Sequence, residues 1–299
     1  MRLISFDVSR TLHIPGVRYI KPERMFEHLD EIQAADWLLF PSYWQVNTLL
    51  HALHKRIFPS PATYYLGHDK VEQTRAFRAI CPENLPRTTI QASTCHGIDT
   101  VEAEIGYPMI LKEIRSARGQ GVHLIETRRE LETFAESQEV LYAQTRLPID
   151  RDLRIVLIGD QILASYWRVT PPGGYRANVS QGGTIDHEGI PPSALALVRR
   201  VAARMGIDHG GFDVAMVGDQ PFLFEFNRLF GTQGITDPGR TTAAAILEWL
   251  SRSQGVSAAN DAGIEADAIQ KNPGQVAGVG VSATRSDLSL AAARDCQAC

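Results

Sequence analysis

From Thr88 to Asn227 the chain is written as short apolar runs, and two of the breaks between them are Gly-Asp pairs. The runs are Met109-Ile110-Leu111, Val122 to Ile125, Val140 to Tyr142, Ile155 to Ile158, Ile162 to Trp167, Asp213 to Val217 and Pro221 to Phe226. Each is too short for a helix and is bounded by turn residues, which is the pattern of a β-strand. Gly159-Asp160 and Gly218-Asp219 leave no room for a crossover, so the runs they join pair as antiparallel hairpins. Two helices interrupt the block. One starts after Pro191-Pro192 with Ser193 as its cap, and stacks Leu195, Val198, Ala202 and Met205 on one face; the other places Ile246, Trp249 and Leu250 together. The middle of the chain is therefore predicted to be α+β with antiparallel sheets.

The start of the chain alternates differently. Leu3 to Val8 and Asp36 to Phe40 read as strands. A helix opening at Pro22 and running towards Gln33 lies between them, and a second fits Gln45 to His54. That βαβ unit predicts a parallel sheet. Asp69 to Ile80 reads as a helix from the spacing of Val71, Thr74, Phe77 and Ala79–Ile80, closed by Pro82 and Pro86. From Ser253 onward there is no Phe, Trp or Tyr and much Ala, Gly and Ser. Such a segment buries too little apolar surface to offset its ordering entropy, so 253–299 is predicted to be a disordered tail with a nascent helix near Ser286 to Arg294.

Composition excludes several classes. With 44% hydrophobic and 21% charged residues in 299, the chain is globular, not fibrous or wholly disordered. Thirty Lys plus Arg against 34 Asp plus Glu give a formal charge of -4, which is not the basic footprint of a nucleic-acid binder, although a local basic groove stays open. No apolar run approaches the roughly 20 residues that span a bilayer. Met1 to Val8 is too short and is interrupted by Asp7, so it is not read as a signal peptide. Four cysteines suit a cytoplasmic enzyme with reduced thiols. Cys296 and Cys299 supply only two of the four ligands a structural zinc takes, and read as exposed tail thiols.

Three stretches carry chemistry. In Phe224-Glu225-Phe226-Asn227 the period of a strand puts Glu225 and Asn227 on one face, with Phe224 and Phe226 in the other layer. Pairing across the Gly218-Asp219 turn brings Asp213 beside Glu225. Two carboxylates and an amide oxygen are hard ligands suited to Mg²⁺ shared with phosphate oxygens; the alternative is a solvated polar face. Next, Lys112 ends an apolar strand and is followed by Glu113 to Gly121, a loop whose Gly119 and Gly121 let backbone N–H groups approach phosphates. Alone, that stretch reads better as a glycine hairpin, and it is not a Walker loop. Lastly, Asp152-Leu153-Arg154, Arg168, Arg176-Ala177-Asn178 and Gly182-Gly183 offer arginines for phosphate or carboxylate contact, or surface charge on a hairpin.

Taken in order, the lysine, Gly loop, Asp-x-Arg, Arg, Arg-x-Asn, Gly-Gly, Asp and Glu-x-Asn resemble the ATP-grasp superfamily. The likeness is greatest to the RimK-like branch of ribosomal-protein glutamate ligases, with glutathione synthetase as a cousin, and it runs from about Asp69 to Leu250. The resemblance implies an α/β and α+β chain: a small parallel α/β domain at 1–85, then an ATP-grasp domain at 86–252 whose lobes, 86–143 and 144–252, clasp ATP. It implies that Lys70 and Lys112 contact ATP phosphates under a lid from Ser116 through Gly119 to Gly121. Gln144 and Thr145 then form the adenine hinge, and Asp152, with Arg154 nearby, holds the ribose. Arg168 and Arg176 face the γ-phosphate or acyl phosphate beside Asn178. Asp213, Glu225 and Asn227 bind Mg²⁺, two ions, with Mn²⁺ as an alternative.

Two departures are visible. Gln144-Thr145-Arg146 lacks the glutamate that usually follows the glutamine, which leaves the adenine contact there to the backbone. Arg228-Leu229-Phe230-Gly231 replaces a stretch that often has proline before the glycine, and places Arg228 near the acceptor. The implied activity is a carboxylate–amine ligase acting on small-molecule or peptide carboxylates and amines, with no nucleic-acid or membrane partner. Ligases of this kind are often homo-oligomers. A phosphotransferase on the same nucleotide site and a non-catalytic ATP-binding scaffold are the rivals. Trp44, Gln45 and Asn47 are placed to line the acceptor pocket at the carboxyl edge of the small sheet; the alternative is that Tyr43 and Trp44 are core residues beneath the interdomain cleft.

Overall fold

Four short strands at the start of the chain, β1 (Leu3–Ser5), β2 (Val17–Tyr19), β3 (Trp37–Leu39) and β4 (Ile57–Phe58), form a parallel sheet in the order β2-β1-β3-β4. The computed structural model describes residues 1–114, 121–169, 184–237 and 239–253. Strands β1 and β3 are buried throughout, because a parallel sheet needs crossovers that cover it. The crossover from β2 to β3 is the predicted helix, here a 3₁₀ stretch Pro22–His28 running into an α-helix Leu29–Ala34. The second predicted helix is an α-helical stretch Tyr43–Asn47 followed by a π-helical turn Thr48–Ala52.

Strands β5 (Thr88–Ala92), β6 (Met109–Lys112), β7 (Val122–Ile125) and β8 (Val140–Thr145) make an antiparallel sheet in the order β5-β8-β6-β7. Two helices that the sequence reading missed, Cys95–Ile105 and Arg128–Ala135, cover one face. Ile98, Val101, Leu131 and Phe134 pack there on Met109, Leu111, Leu141 and Ala143. Each helix opens on a threonine. Thr94 Oγ1 accepts the Gly97 N–H at 3.1 Å, and Thr127 Oγ1 accepts that of Glu130 at 3.3 Å.

The largest sheet is antiparallel, with β9 (Arg151–Ile158) at its centre between β10 (Gln161–Val169) and β12 (His209–Val217). β11 (Thr184–Asp186) and β13 (Gln220–Asn227) lie outermost. The two predicted hairpins are present. Gly159 and Gly218 sit in their turns at φ +64° and +60°, where a side chain would be strained. Alternation along β9 feeds two cores. Leu153, Ile155 and Leu157 pack under the helices Lys70–Ile80 and Pro192–Met205, while Val156 and Ile158 meet the first sheet through Leu39, Phe40 and Phe58. The helix that begins at residue 242 closes this second core with Ala243, Ile246 and Leu250.

Two details differ from expectation. The Pro192–Met205 helix has Pro191, not Ser193, as its cap, with Pro192 in its first turn. Pro192 removes one of the unpaired N–H groups of the first turn, and the Ala194 N–H donates to the Pro191 carbonyl at 3.2 Å. Its buried stripe is Ala194, Leu197, Val198, Val201 and Ala202, and Leu195 and Met205 lie only partly buried at the margin. The tail from 254, with Cys296 and Cys299, lies outside the described residues; Cys81 is a buried free thiol.

Candidate functional site

Along β9 one sheet face changes character. Asp152 and Arg154 are polar, and the next two residues on that face, Val156 and Ile158, are core. Antiparallel register extends the polar part sideways: Arg168 pairs with Asp152, Asp213 with Arg154, and Glu225 with Asp213. The predicted juxtaposition of Asp213 and Glu225 is thus present, and Asn227 Nδ2 donates to Glu225 Oε1 at 3.1 Å.

The charges on this face alternate. Arg168 Nε and Nη2 donate to the two Asp152 oxygens at 2.7 and 2.6 Å, a bidentate pair, and Nη2 is also 3.1 Å from Asp213 Oδ2. Arg154 Nη2 donates to the same Asp213 oxygen at 3.2 Å. Burial opposes the Arg168 charge, but the Asp213 and Asp152 carboxylates outweigh it and hold the guanidinium firmly protonated. Arg154 Nε lies 2.7 Å from Asp213 Oδ1, yet at an angle that makes no hydrogen bond, and both atoms are buried. Asp213 Oδ1 therefore keeps a lone pair that no N–H satisfies among the described residues. Together with Glu225 and Asn227, an oxygen of that kind fits a hard divalent cation.

A register shift corrects one expectation. Asp213 pairs with Glu225 but Val214 pairs with Leu223, so Phe224 is the extra residue of a bulge. Leu223 and Phe226 enter the core beneath the helices, whereas Phe224 does not join Phe226 there. Phe224 stands instead at the other half of the site, its ring centroid 5.1 Å from Lys112 Nζ.

Lys112 ends β6, as predicted, and is buried. Its ammonium lies 5.8 Å from the Tyr142 ring and makes no ion pair among the described residues. Burial pushes its pKa below the ordinary lysine value, against the pull of Glu225. Lys70 is the first residue of the helix capped by Asp69, whose carboxylate accepts the Val71 and Glu72 N–H groups at 2.7 and 3.2 Å. Its Nζ donates to the Glu113 carbonyl at 3.3 Å, next to Lys112. Gly121 is buried and its carbonyl accepts the Glu113 N–H at 2.8 Å, closing the base of the predicted lid.

Gln144 is buried with its amide donating to Thr88 Oγ1 and Tyr142 OH at 2.9 and 3.1 Å, so that amide group is already engaged. The Thr145 N–H donates to Arg87 O at 2.9 Å. Ser116, Gly119, Arg176 and Asn178 lie outside the described residues. On the small sheet, Gln45 folds back to accept the Ser42 N–H at 2.7 Å and touches Met25 Sδ, so it is a buried capping residue. Trp44 is 52% exposed, and Asn47 accepts the Tyr65 hydroxyl at 2.6 Å.

The sequence reading missed Gln73. It is buried on the helix below β13; its Oε1 accepts the Phe226 N–H at 2.9 Å and its Nε2 donates to the Phe226 carbonyl at 3.1 Å. Both backbone groups between Glu225 and Asn227 are thereby fixed. A glutamine inside an apolar helical stripe was the available signal.

The family described as RimK-like ATP-grasp domain matches residues 73–250. A probable alpha-L-glutamate ligase of Parasynechococcus marenigrum is 28% identical over 179 residues, covering 58% of this chain and 38% of the relative. That of Citrobacter koseri is 27% identical over 176 residues, covering 56% of this chain and 59% of the relative. The chain thus spans less than two thirds of the length of either. Among solved structures, a RimK domain ATP-grasp protein from Sphaerobacter thermophilus superposes with a TM-score of 0.59 at 19% identity, covering 83% of this chain and 99% of that one. D-alanyl-alanine synthetase A from Vibrio cholerae gives 0.56 at 14% identity, covering 73% and 76%.

Proposed function

Because the chain belongs to the RimK-like ATP-grasp domain family and has the ATP-grasp fold, we propose that it is an ATP-dependent carboxylate–amine ligase. A substrate carboxylate attacks the γ-phosphate of ATP, giving an acyl phosphate and ADP. An amine then attacks the acyl carbon and expels phosphate, leaving an amide. The observation that carries this reading is the meeting of two sheets at Lys112. A buried cation that makes no ion pair among the described residues stands over Phe224, beside the Asp213, Glu225 and Asn227 face. A cation desolvated in this way is poised for a phosphate anion, because the phosphate supplies the charge that the fold withholds.

Lys112 and Lys70 are assigned to ATP phosphates, with the backbone of Gln144 and Thr145 at the adenine. Asp213, Glu225 and Asn227 would hold Mg²⁺, which offsets charge on the phosphate oxygens. Arg168 already binds Asp152 and Asp213, so its assigned part is to position those carboxylates. That leaves Arg176 and Asn178 to face the transferring phosphoryl group. The substrates are small-molecule or peptide carboxylates and amines, and the setting is the cytoplasm, where ATP is supplied. Among the described residues no helix is long and apolar enough to cross a membrane.

Product counting tests the reading. Incubation with MgATP and pooled acids and amines, followed by mass spectrometry, is expected to yield ADP, phosphate and a new amide in equal amounts. ADP with a phosphorylated product and no free phosphate points to a phosphotransferase. A melting temperature raised by ATP with no ADP formed points to a binding scaffold.

A further inference from the structure

Arg154 lies against the carboxylate and amide face assigned to the divalent cation. In the pairing of β12 with β13, Asp213 stands opposite Glu225 and Gly211 opposite Asn227, so these four residues share one sheet face. A Cβ on Gly211 would come within 2.7 Å of Arg154 Nη1 and 3.1 Å of Arg154 Cδ, so the Arg154 side chain runs along β12 between Gly211 and Asp213. Only the lack of a side chain at Gly211 leaves room for it. The two arginines of this face are held differently. Arg168 makes two short hydrogen bonds to Asp152, at 2.7 and 2.6 Å, a satisfied fork. Arg154 makes one longer hydrogen bond to Asp213, from Nη2 at 3.2 Å. Its Nε is buried 2.7 Å from Asp213 Oδ1, and among the described residues neither atom has a hydrogen-bond partner. A buried donor and a buried acceptor left unsatisfied raise the free energy of this arrangement, so Arg154 is the arginine that another cation displaces most readily.

We propose that Arg154 is a stand-in cation: it keeps a free divalent metal off Asp213 and gives way when metal and ATP arrive together. The proposal deepens the ligase reading and rests on it for the identity of the metal, whereas the contact itself rests on the geometry of β9 and β12. Asp213 faces two guanidinium groups, with Arg154 Nε at 2.7 Å and Arg168 Nη2 at 3.1 Å from its oxygens. A dication reaching Asp213 alone meets both positive charges at close range, where both arginines and the carboxylate are nearly buried and water screens little. The phosphates of ATP change that balance, because they bring negative charge for the metal and an anionic partner for a displaced guanidinium. When Arg154 moves off, Asp213 Oδ1 is open to the metal and the Arg154 Nε–H is free to find an acceptor. Arg168 stays, since its fork is already satisfied by Asp152. Metal and nucleotide therefore strengthen each other by the same factor. The fold thereby ties metal entry to nucleotide entry through one side chain and the glycine beneath it.

The test uses Mn²⁺ in place of Mg²⁺. Its binding to the full chain is read by electron paramagnetic resonance, with and without a non-hydrolysable ATP analogue and corrected for metal held by the analogue itself. Without nucleotide, Arg154→Gln is expected to bind Mn²⁺ at least about tenfold more tightly than the unmodified protein, since one nearby positive charge is gone. In the unmodified protein the analogue raises Mn²⁺ affinity by at least about tenfold, and in Arg154→Gln by a smaller factor. Arg154→Lys keeps the charge and binds Mn²⁺ alone more weakly than Arg154→Gln does. Thermal melts show which variants are folded. Should neither fold, the unmodified protein decides, and Mn²⁺ affinity that does not respond to the analogue overturns the proposal. Equal Mn²⁺ affinity in the unmodified protein and Arg154→Gln, or weaker binding in the variant, overturns the stand-in role and leaves the ligase reading in place. Mn²⁺ bound by none of the proteins, with or without the analogue, sinks the metal assignment and the stand-in role together. Arg154-dependent Mn²⁺ binding in a protein that forms no amide from MgATP sinks the ligase reading and spares the stand-in role.

Discussion

Lys112 is a buried cation that makes no ion pair among the described residues, and that arrangement costs stability in the absence of ligand. Lys112→Met is therefore expected to raise the stability of the ligand-free protein by about 1 kcal/mol while abolishing the rise in melting temperature caused by MgATP. Paired thermal melts check both halves. A second residue-scale test uses neighbours with opposite titrations. Burial pushes the Asp208 pKa up to about 6, against hydrogen bonds from Ser60, Trp249 and Thr63. Burial among Phe40, Phe58 and Phe230 pushes that of His209 down to about 3. A carboxyl group with a raised folded pKa contributes stability that is present below its unfolded pKa near 3.8 and is lost as pH rises through about 6. A histidine with a depressed folded pKa contributes stability present above about 6.5 and lost as pH falls towards about 3. The two slopes oppose each other between about pH 4 and 6, each near 1.4 kcal/mol per pH unit. Urea unfolding is expected to show His209→Gln gaining stability as pH falls through that window, relative to the unmodified protein. Asp208→Asn is expected to lose it; parallel curves for all three proteins contradict the assignment.

At the scale of elements, β13 is held by its partner strand on one side, by Gln73 at Phe226 and by Asn84, whose amide donates to the Pro221 carbonyl at 3.0 Å. Gln73→Leu leaves the Phe226 N–H and C=O buried without that partner, and is expected to cost about 2 to 3 kcal/mol and most of the turnover. Denaturant melts and initial rates measure the two effects separately. Phe226→Ala opens a cavity under the same strand and is expected to cost about 3 to 5 kcal/mol. The face shared by Glu225 and Asn227 was legible in the sequence because strand period is a local property, and Gly218 fixed the hairpin that brings Asp213 opposite. Phe224 was not legible: a bulge is a mismatch between two strands, and neither strand alone carries it. The helices Cys95–Ile105 and Arg128–Ala135 were missed because each buries only two or three residues, too few to outweigh the surrounding strand signal.

For the whole molecule, the order of motifs along the chain was enough to give the fold class, since they fall on successive strands: Lys112 at the end of β6, Asp152 and Arg154 at the start of β9, Arg168 near the end of β10, Asp213 within β12, and Glu225 and Asn227 at the end of β13. What the order does not contain is the meeting of distant pieces. Gln73 reaches Phe226 only across the helix–sheet interface. The proposed reaction is transfer of a phosphoryl group from ATP to a carboxylate where two sheets converge at Lys112, followed by attack of an amine on the acyl carbon that expels phosphate. Transfer of ¹⁸O from a labelled substrate carboxylate tests it most directly. The account predicts one labelled oxygen in the released phosphate for each amide formed, and lost with Asn227→Ala. Amide formed with phosphate free of label would contradict it.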